Sequence, residues 1–134
     1  MGVLCTSREE PRGWFLLTID TPQAAAEERS KLSRALRESI ESMKEAGFER
    51  ATLEHAYKDR YNTALLKSER TSDAQRKAEA EQAASKWSNK LLTAEVIENY
   101  WKQRVYAIRS DMSLLMTVAA GIRHEFEEAH RGPN

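Results

Sequence analysis

The sequence predicts an all-α protein, a long antiparallel helical hairpin of the coiled-coil type. Apolar residues recur at heptad spacing from Ala80 to Ala129, and five Gly and three Pro in 134 residues leave few places to turn. One polar segment, residues 68–72, separates two long apolar-periodic stretches. The heptad positions form the apolar seam, apolar at every position but Glu98: Ala80, Ala84, Trp87, Leu91, Ala94, Glu98, Trp101, Val105, Ile108, Met112, Leu115, Ala119, Ile122, Phe126 and Ala129.

The first twenty residues differ from the rest and are expected to form an N-terminal arm, with residues 21–134 forming the hairpin domain. The apolar run of the arm is short, follows a stretch of mixed charge and has no small-residue cleavage site close behind it, so a secretion signal is not indicated. We expect the run to pack on the helices. It consists of Trp14, Phe15, Leu16 and Leu17.

The first helix is predicted over residues 22–67. It should start at Thr21 or Asp20, because Pro22 suits the first helical position and Asp20 with Gln23 has capping-box spacing. Gly47 leaves two alternatives. The apolar phase on either side of it favours a continuous helix with a polar middle at Gly47, Arg50 and Glu54, and a kink at Gly47 is the alternative.

The second helix is predicted over residues 73–131, after a turn at 68–72 and before the stop signal Gly132-Pro133. So short a connection makes the helices antiparallel. With the turn centred at position 70, Glu54 should face Lys86 and Lys90. The second helix should then lack a partner beyond roughly position 118, because helix one begins near residue 22, and the arm should cover Ile122 and Phe126.

Two helices do not cover all the apolar surface. Around residues 114–120 the second helix is apolar nearly all round, which is typical of a helix buried on several sides. We therefore expect self-association into a four-helix or larger bundle. The predicted interaction face contains Trp87, Tyr100, Trp101, Tyr106, Leu114, Leu115, Met116, Val118, Ile122 and Phe126.

Composition and motifs indicate neither an enzyme nor a cofactor. Lys plus Arg (21) balance Asp plus Glu (21), which argues against tight nonspecific nucleic-acid binding. One cysteine excludes an internal disulfide, and no apolar run approaches the ~20 residues that span a bilayer, so a cytoplasmic protein without membrane contact is expected. Glu127 and His130 lack the second copy that a di-metal bundle needs, and His124 with Glu128 is expected to be a solvated ion pair.

Glu98 has two interpretations as the polar member of the seam. We favour a side chain that reaches solvent or pairs with Lys102, four residues on, since Glu is rarely buried without a partner. The alternative is an internal acid or a polar group that selects the register or the partner.

A resemblance of three sequence segments to a known family indicates the kind of genome that encodes this chain. The segments YKDRYNTAL (57–65) and TSDAQRKA (71–78) and the tail at 112–133 resemble a family of short, helical, uncharacterised proteins of actinobacterial phages, over residues 51–134. Trp87, Trp101 and Tyr106 depart from that pattern, and the arm is unmatched. The resemblance carries no catalytic residues. It implies a phage-encoded accessory or host-modulating protein in the host cytoplasm.

We therefore expect a non-enzymatic protein that binds another protein. The alternative is a nucleic-acid-associated accessory factor of phage recombination or replication. A base-stacking platform of Tyr57, Tyr61, Trp87 and Trp101 would favour that alternative. All four residues lie at apolar positions of the predicted helices, however, and core packing is the favoured interpretation.

Overall fold

The computed structural model describes residues 19–131, which form two long α-helices packed against each other as a hairpin. Helix α1 is Pro22–Lys67 and helix α2 is Asp73–Arg131. These bounds are the ones expected from the sequence, and α1 continues through Gly47. The predicted contacts of Trp14, Phe15, Leu16 and Leu17 lie outside the described residues, as does the stop signal at 132–133.

Helix α1 begins with a side-chain cap from Thr21. The hydroxyl oxygen of Thr21 accepts a hydrogen bond from the backbone N–H of Ala24, at 3.1 Å. This bond satisfies one of the N–H groups that the first turn leaves without a partner. Because Pro22 occupies the first helical position, the capping residue is its neighbour Thr21, which is one of the two predicted starts, and not Asp20.

Side chains near the turn hold the two helix ends together. The Arg76 guanidinium donates to the backbone carbonyl of Leu65 at 3.2 Å, and Leu65 lies in the last turn of α1, where carbonyls lack helical partners. The hydroxyl of Ser68 lies 3.0 Å from the Glu79 carboxylate and accepts the backbone N–H of Arg70 at 3.2 Å. The turn is therefore anchored to the first two turns of α2.

The packing divides the hairpin into two compact units, which are described separately. In the unit Glu38–Val105, Ala80 and Ala84 are completely buried, and Ala46 of α1 is also buried. Residues this small at helix–helix contacts allow the two backbones to approach closely. The larger seam residues Trp87 and Trp101 are half-buried.

The other unit pairs residues 19–37 with residues 106–131, and its core is one apolar cluster. The buried members of the cluster are Ile19, Ala25, Leu115 and Ile122, and Leu32 is among those packed against it. Ile122 therefore has cover from the start of α1 and from Ile19, so the prediction that α2 lacks a partner beyond position 118 is wrong. The seam is buried or half-buried from Ala80 through Ile122, as predicted, and it ends there, because Phe126 and Ala129 are exposed.

Candidate interaction surface

A chain of ion pairs crosses between the helices in the unit Glu38–Val105, and we call it the polar waist. Arg50 Nε donates to Glu98 Oε1 at 2.7 Å, and Arg50 Nη1 lies 2.8 Å from Glu54 Oε2. Lys58 Nζ lies 3.2 Å from the other oxygen of Glu54, and Lys102 Nζ lies 3.8 Å from Glu98 Oε1. One arginine therefore links carboxylates on both helices.

Gly47 leaves room for the Glu98 carboxylate. A Cβ placed on Gly47 would lie 2.8 Å from Glu98 Oε2, closer than real Cβ atoms approach other atoms. The Glu98 side chain is 13 % exposed, so this acid lies against α1 and does not reach freely into solvent. Its predicted pairing with Lys102 is present, but its shortest bond is to Arg50 on the other helix.

The ion pairs shift two pKa values. The Glu98 carboxylate holds the pKa of Arg50 above its ordinary value, chiefly through the hydrogen bond that it accepts. The pKa of Glu54 is lowered, first by the hydrogen bond from Lys58 and its charge and then by Arg50. Both groups are therefore charged at neutral pH. Both side chains are substantially solvated. We therefore infer that the polar waist contributes little to stability and mainly fixes the position of one helix along the other.

The pairing of the helices differs from the predicted axial register, the position of one helix along the other. A turn centred at position 70 puts residue 50 opposite residue 90, whereas Arg50 contacts Glu98. Glu54 pairs with Arg50 and Lys58, and the prediction that it faces Lys86 and Lys90 is wrong. Ser68, which directly follows α1, contacts Glu79, so the first turns of α2 extend past the end of α1. Residues of α1 therefore face positions further along α2 than a turn centred at residue 70 predicts.

Trp87 is surrounded by cations. The Arg60 guanidinium carbon lies 5.5 Å from the ring centroid, and the ammonium groups of Lys90 and Lys86 lie 5.1 and 5.9 Å from it. These distances are typical of cation–π contacts. The half-buried ring packs as the seam predicts, and three positive side chains border its exposed part.

We expect the two helical glycines to respond oppositely to alanine. Gly121→Ala should raise the free energy of unfolding by about 1 kcal/mol, because an added Cβ meets nothing within 4 Å and alanine is the better helix former. Gly47→Ala should not show this gain, because its methyl displaces the carboxylate of Glu98. Urea denaturation of both variants and the wild type measures the difference. Equal gains would mean that Glu98 is not held at Gly47.

The structure separates the predicted interaction face into buried and exposed residues. Leu115, 2 % exposed, and Ile122 belong to the core between the helices, and Val118 packs against that core. Tyr106 is 67 % exposed, Met116 64 % and Leu114 47 %. Phe126 is exposed in this unit, and Tyr100 is exposed in the other. The exposed members, together with Val118, are therefore what a partner can contact.

Helix geometry places two of these exposed residues on opposite flanks of the seam. Successive residues of an α-helix are about 100° apart. Leu114 precedes buried Leu115 and Met116 follows it, so one projects to each side. Val118 follows Leu114 by four residues and lies on the same side. We call Leu114 and Val118 the 114/118 flank, and Met116 lies on the other side.

Helix α2 contains a stretch apolar enough to cross a membrane by length and composition, which corrects the expectation that no apolar run approaches such a length. The stretch is 18 residues long, its mean hydropathy is 1.2, and 22 % of it is buried. Core helices of soluble proteins pass the same test when they are mostly buried. Here part of the stretch is left uncovered by α1, in agreement with the surplus of apolar surface that the sequence predicts.

The polar residues near the end of α2 form one ion pair and one hydrogen bond to the backbone. His124 Nε2 lies 3.2 Å from Glu128 Oε1, with both side chains largely exposed, which is the predicted solvated pair. His130 Nδ1 lies 2.7 Å from the carbonyl of Phe126. Within residues 19–131, no three His, Cys, Asp or Glu side chains come together as metal ligands.

No family model, no curated protein and no solved structure matches this chain.

Proposed function

We propose that this chain is a non-catalytic helical interaction protein that self-associates and binds a further protein. The exposed apolar surface of residues 106–131 carries the proposal. Tyr106 and Leu114 are each about half exposed or more, on a helix whose apolar stretch is 22 % buried. Full burial of one such side chain contributes ~1.5–3 kcal/mol, so a partner that covers several gains appreciable free energy.

A second hairpin suits this surface better than a lipid bilayer does. Residues 19–37 pack beside residues 106–131 and include Arg29, Lys31, Arg34 and Arg37. Placing these cations at the centre of a membrane would cost roughly 2.5–3.5 kcal/mol each. A second copy can cover the 114/118 flank of α2 while the charged face of α1 remains in water. This arrangement is a four-helix bundle of two hairpins.

We assign the self-association contact to the 114/118 flank. Leu114 and Val118 are adjacent on one side of the helix, and Leu114 is 47 % exposed. A partner helix can therefore cover both side chains at once. The other flank of α2, with Met116, borders a groove that is described below.

Light scattering of matched aspartate variants tests the assignment. The wild type should have the mass of a dimer or larger at micromolar concentration. Leu114→Asp should be monomeric with unchanged helix content by circular dichroism, because it places a carboxylate in the interface but not in the core. Ser113→Asp, the same charge on an exposed neighbour, should behave as the wild type. A monomeric wild type, or an oligomer that Leu114→Asp leaves intact, would contradict the proposal.

A role as a phage-encoded accessory or host-modulating factor rests on the sequence resemblance. Affinity purification of a tagged copy, with Leu114→Asp as the comparison, would separate a specific partner from background. Proteins recovered with the wild type and lost with the variant would be partners that need the flank or the oligomer. Equal recovery with both would place partner binding elsewhere on the surface.

One observation favours the nucleic-acid alternative. Arg60, Lys86 and Lys90 gather around Trp87, a combination that single-strand binding surfaces use. Balanced charge over the whole chain opposes it. A shift of labelled single-stranded DNA by low-micromolar protein, abolished by Lys90→Glu, would promote this alternative above the first.

A further inference from the structure

A groove beside Leu115 is a feature of the surface that the proposed assembly does not use. Its volume is about 290 Å³, and it runs between the first two turns of α1 and the Met116 side of α2. Its apolar lining includes Pro22, Ala26, Met112 and Met116. Two arginines, Arg29 and Arg123, border it. The groove lies wholly within the unit formed by residues 19–37 and 106–131.

We propose that this groove is the docking site for residues 14–17 of the same chain. That segment reads Trp14, Phe15, Leu16 and Leu17 and is uninterrupted by a charge. Aromatic side chains bury ~150–250 Å² each when a groove covers them, so docking would remove a large apolar area from water. The inference does not rest on self-association, because the 114/118 flank lies on the other side of α2.

The position of Ile19 brings the segment to the groove. Ile19 is buried in one cluster with Ala25 and Leu115, and both of these residues also line the groove. Phe15 precedes Ile19 by four residues, a reach of at most ~14 Å. From Pro22 to Arg29 the helix rises by about 10 Å. An extended run of four residues therefore spans the length of the groove.

The arginines at the edges favour an aromatic occupant. A guanidinium stacks preferentially on Trp, and in this chain Arg60 already lies over the Trp87 ring. Among residues 19–131, neither Arg29 nor Arg123 has a carboxylate within ion-pair distance. Both side chains line the groove and are therefore placed to lie over Trp14 or Phe15 at its edge.

Disulfide trapping in the full chain tests the docking. On a Cys5→Ser background, Leu16→Cys is combined either with Ala26→Cys, inside the groove, or with Glu27→Cys, one residue further along and outside it. Under mild oxidation the first pair should form an intrachain disulfide several-fold faster than the second, as measured by mass and non-reducing gel. Equal rates would overturn the proposal. A predominance of interchain links in the first pair would overturn it in favour of a second copy's segment.

A double-mutant cycle adds a measurement that keeps Leu16 in place. Trp14→Ala and Met116→Ala should each lower the melting temperature, and their effects should not add, because each removes the partner of the other. Trp14→Ala with Leu92→Ala, an exposed residue of the other unit, should be additive. Additivity in the first cycle would overturn the proposal. A monomeric wild type would instead contradict self-association and leave this inference standing.

Discussion

Replacing Leu115 by Asp is expected to unfold the part of the protein formed by residues 19–37 and 106–131. Leu115 is the most buried member of that core. Truncating a buried Leu costs about 2–5 kcal/mol, and a carboxylate without a partner adds to that loss. A domain of ordinary stability has about 5–15 kcal/mol in total, so the variant should lose a large share of its helix signal at 25 °C. Circular dichroism and urea denaturation measure it.

Leu114→Asp is the matched control for that experiment. The same change one residue earlier falls on a half-exposed side chain, where the carboxylate remains in water. Its helix content should therefore equal that of the wild type, with any loss of stability confined to what self-association contributes. If Leu115→Asp melted like Leu114→Asp, the heptad seam would not face the first helix at this position.

Ala84→Leu is expected to destabilise the packing of the two helices near the turn. Ala84 and Ala80 are completely buried where the helices pack near the turn. A larger side chain has no space there, and overpacking of this kind typically costs about 1–3 kcal/mol. Ala83→Leu adds the same atoms on the neighbouring exposed position and should be nearly neutral, since Leu and Ala are both good helix formers. Thermal melts of the two variants should differ clearly. A neutral Ala84→Leu would mean that the helices separate easily at this point.

The sequence predicts the helices well because their signals are local. Pro22 marks a helix start, residues 68–72 supply one turn, and an unbroken heptad pattern identifies the face that is buried through Ile122. The heptad pattern identifies the buried face of the helix because its apolar residues recur with nearly the period of the helix.

The axial register of the two helices is harder to predict, because a heptad pattern matches itself after each shift of one helix by seven residues. The choice depends on long side chains such as Arg50, which could reach several carboxylates, and on the space at Gly47. Nothing local in the sequence pairs Arg50 with Glu98, 48 residues away. The one signal was the coincidence of a glycine in one helix and a lone acid in the seam of the other. The sequence predicts more apolar residues on α2 than α1 can cover. Which of the exposed flanks a partner covers depends on a second molecule.

The contact among Gly47, Arg50 and Glu98 also limits how the length of the hairpin can vary. Deleting seven residues of α1 between Arg50 and the turn would preserve the apolar face but carry Arg50 about 10 Å along α2, away from Glu98. An equal deletion in α2 between the turn and Glu98 would bring the two groups back together. Changes in chain length near the turn are therefore compatible with this contact when they occur in both helices at once, in steps of a heptad.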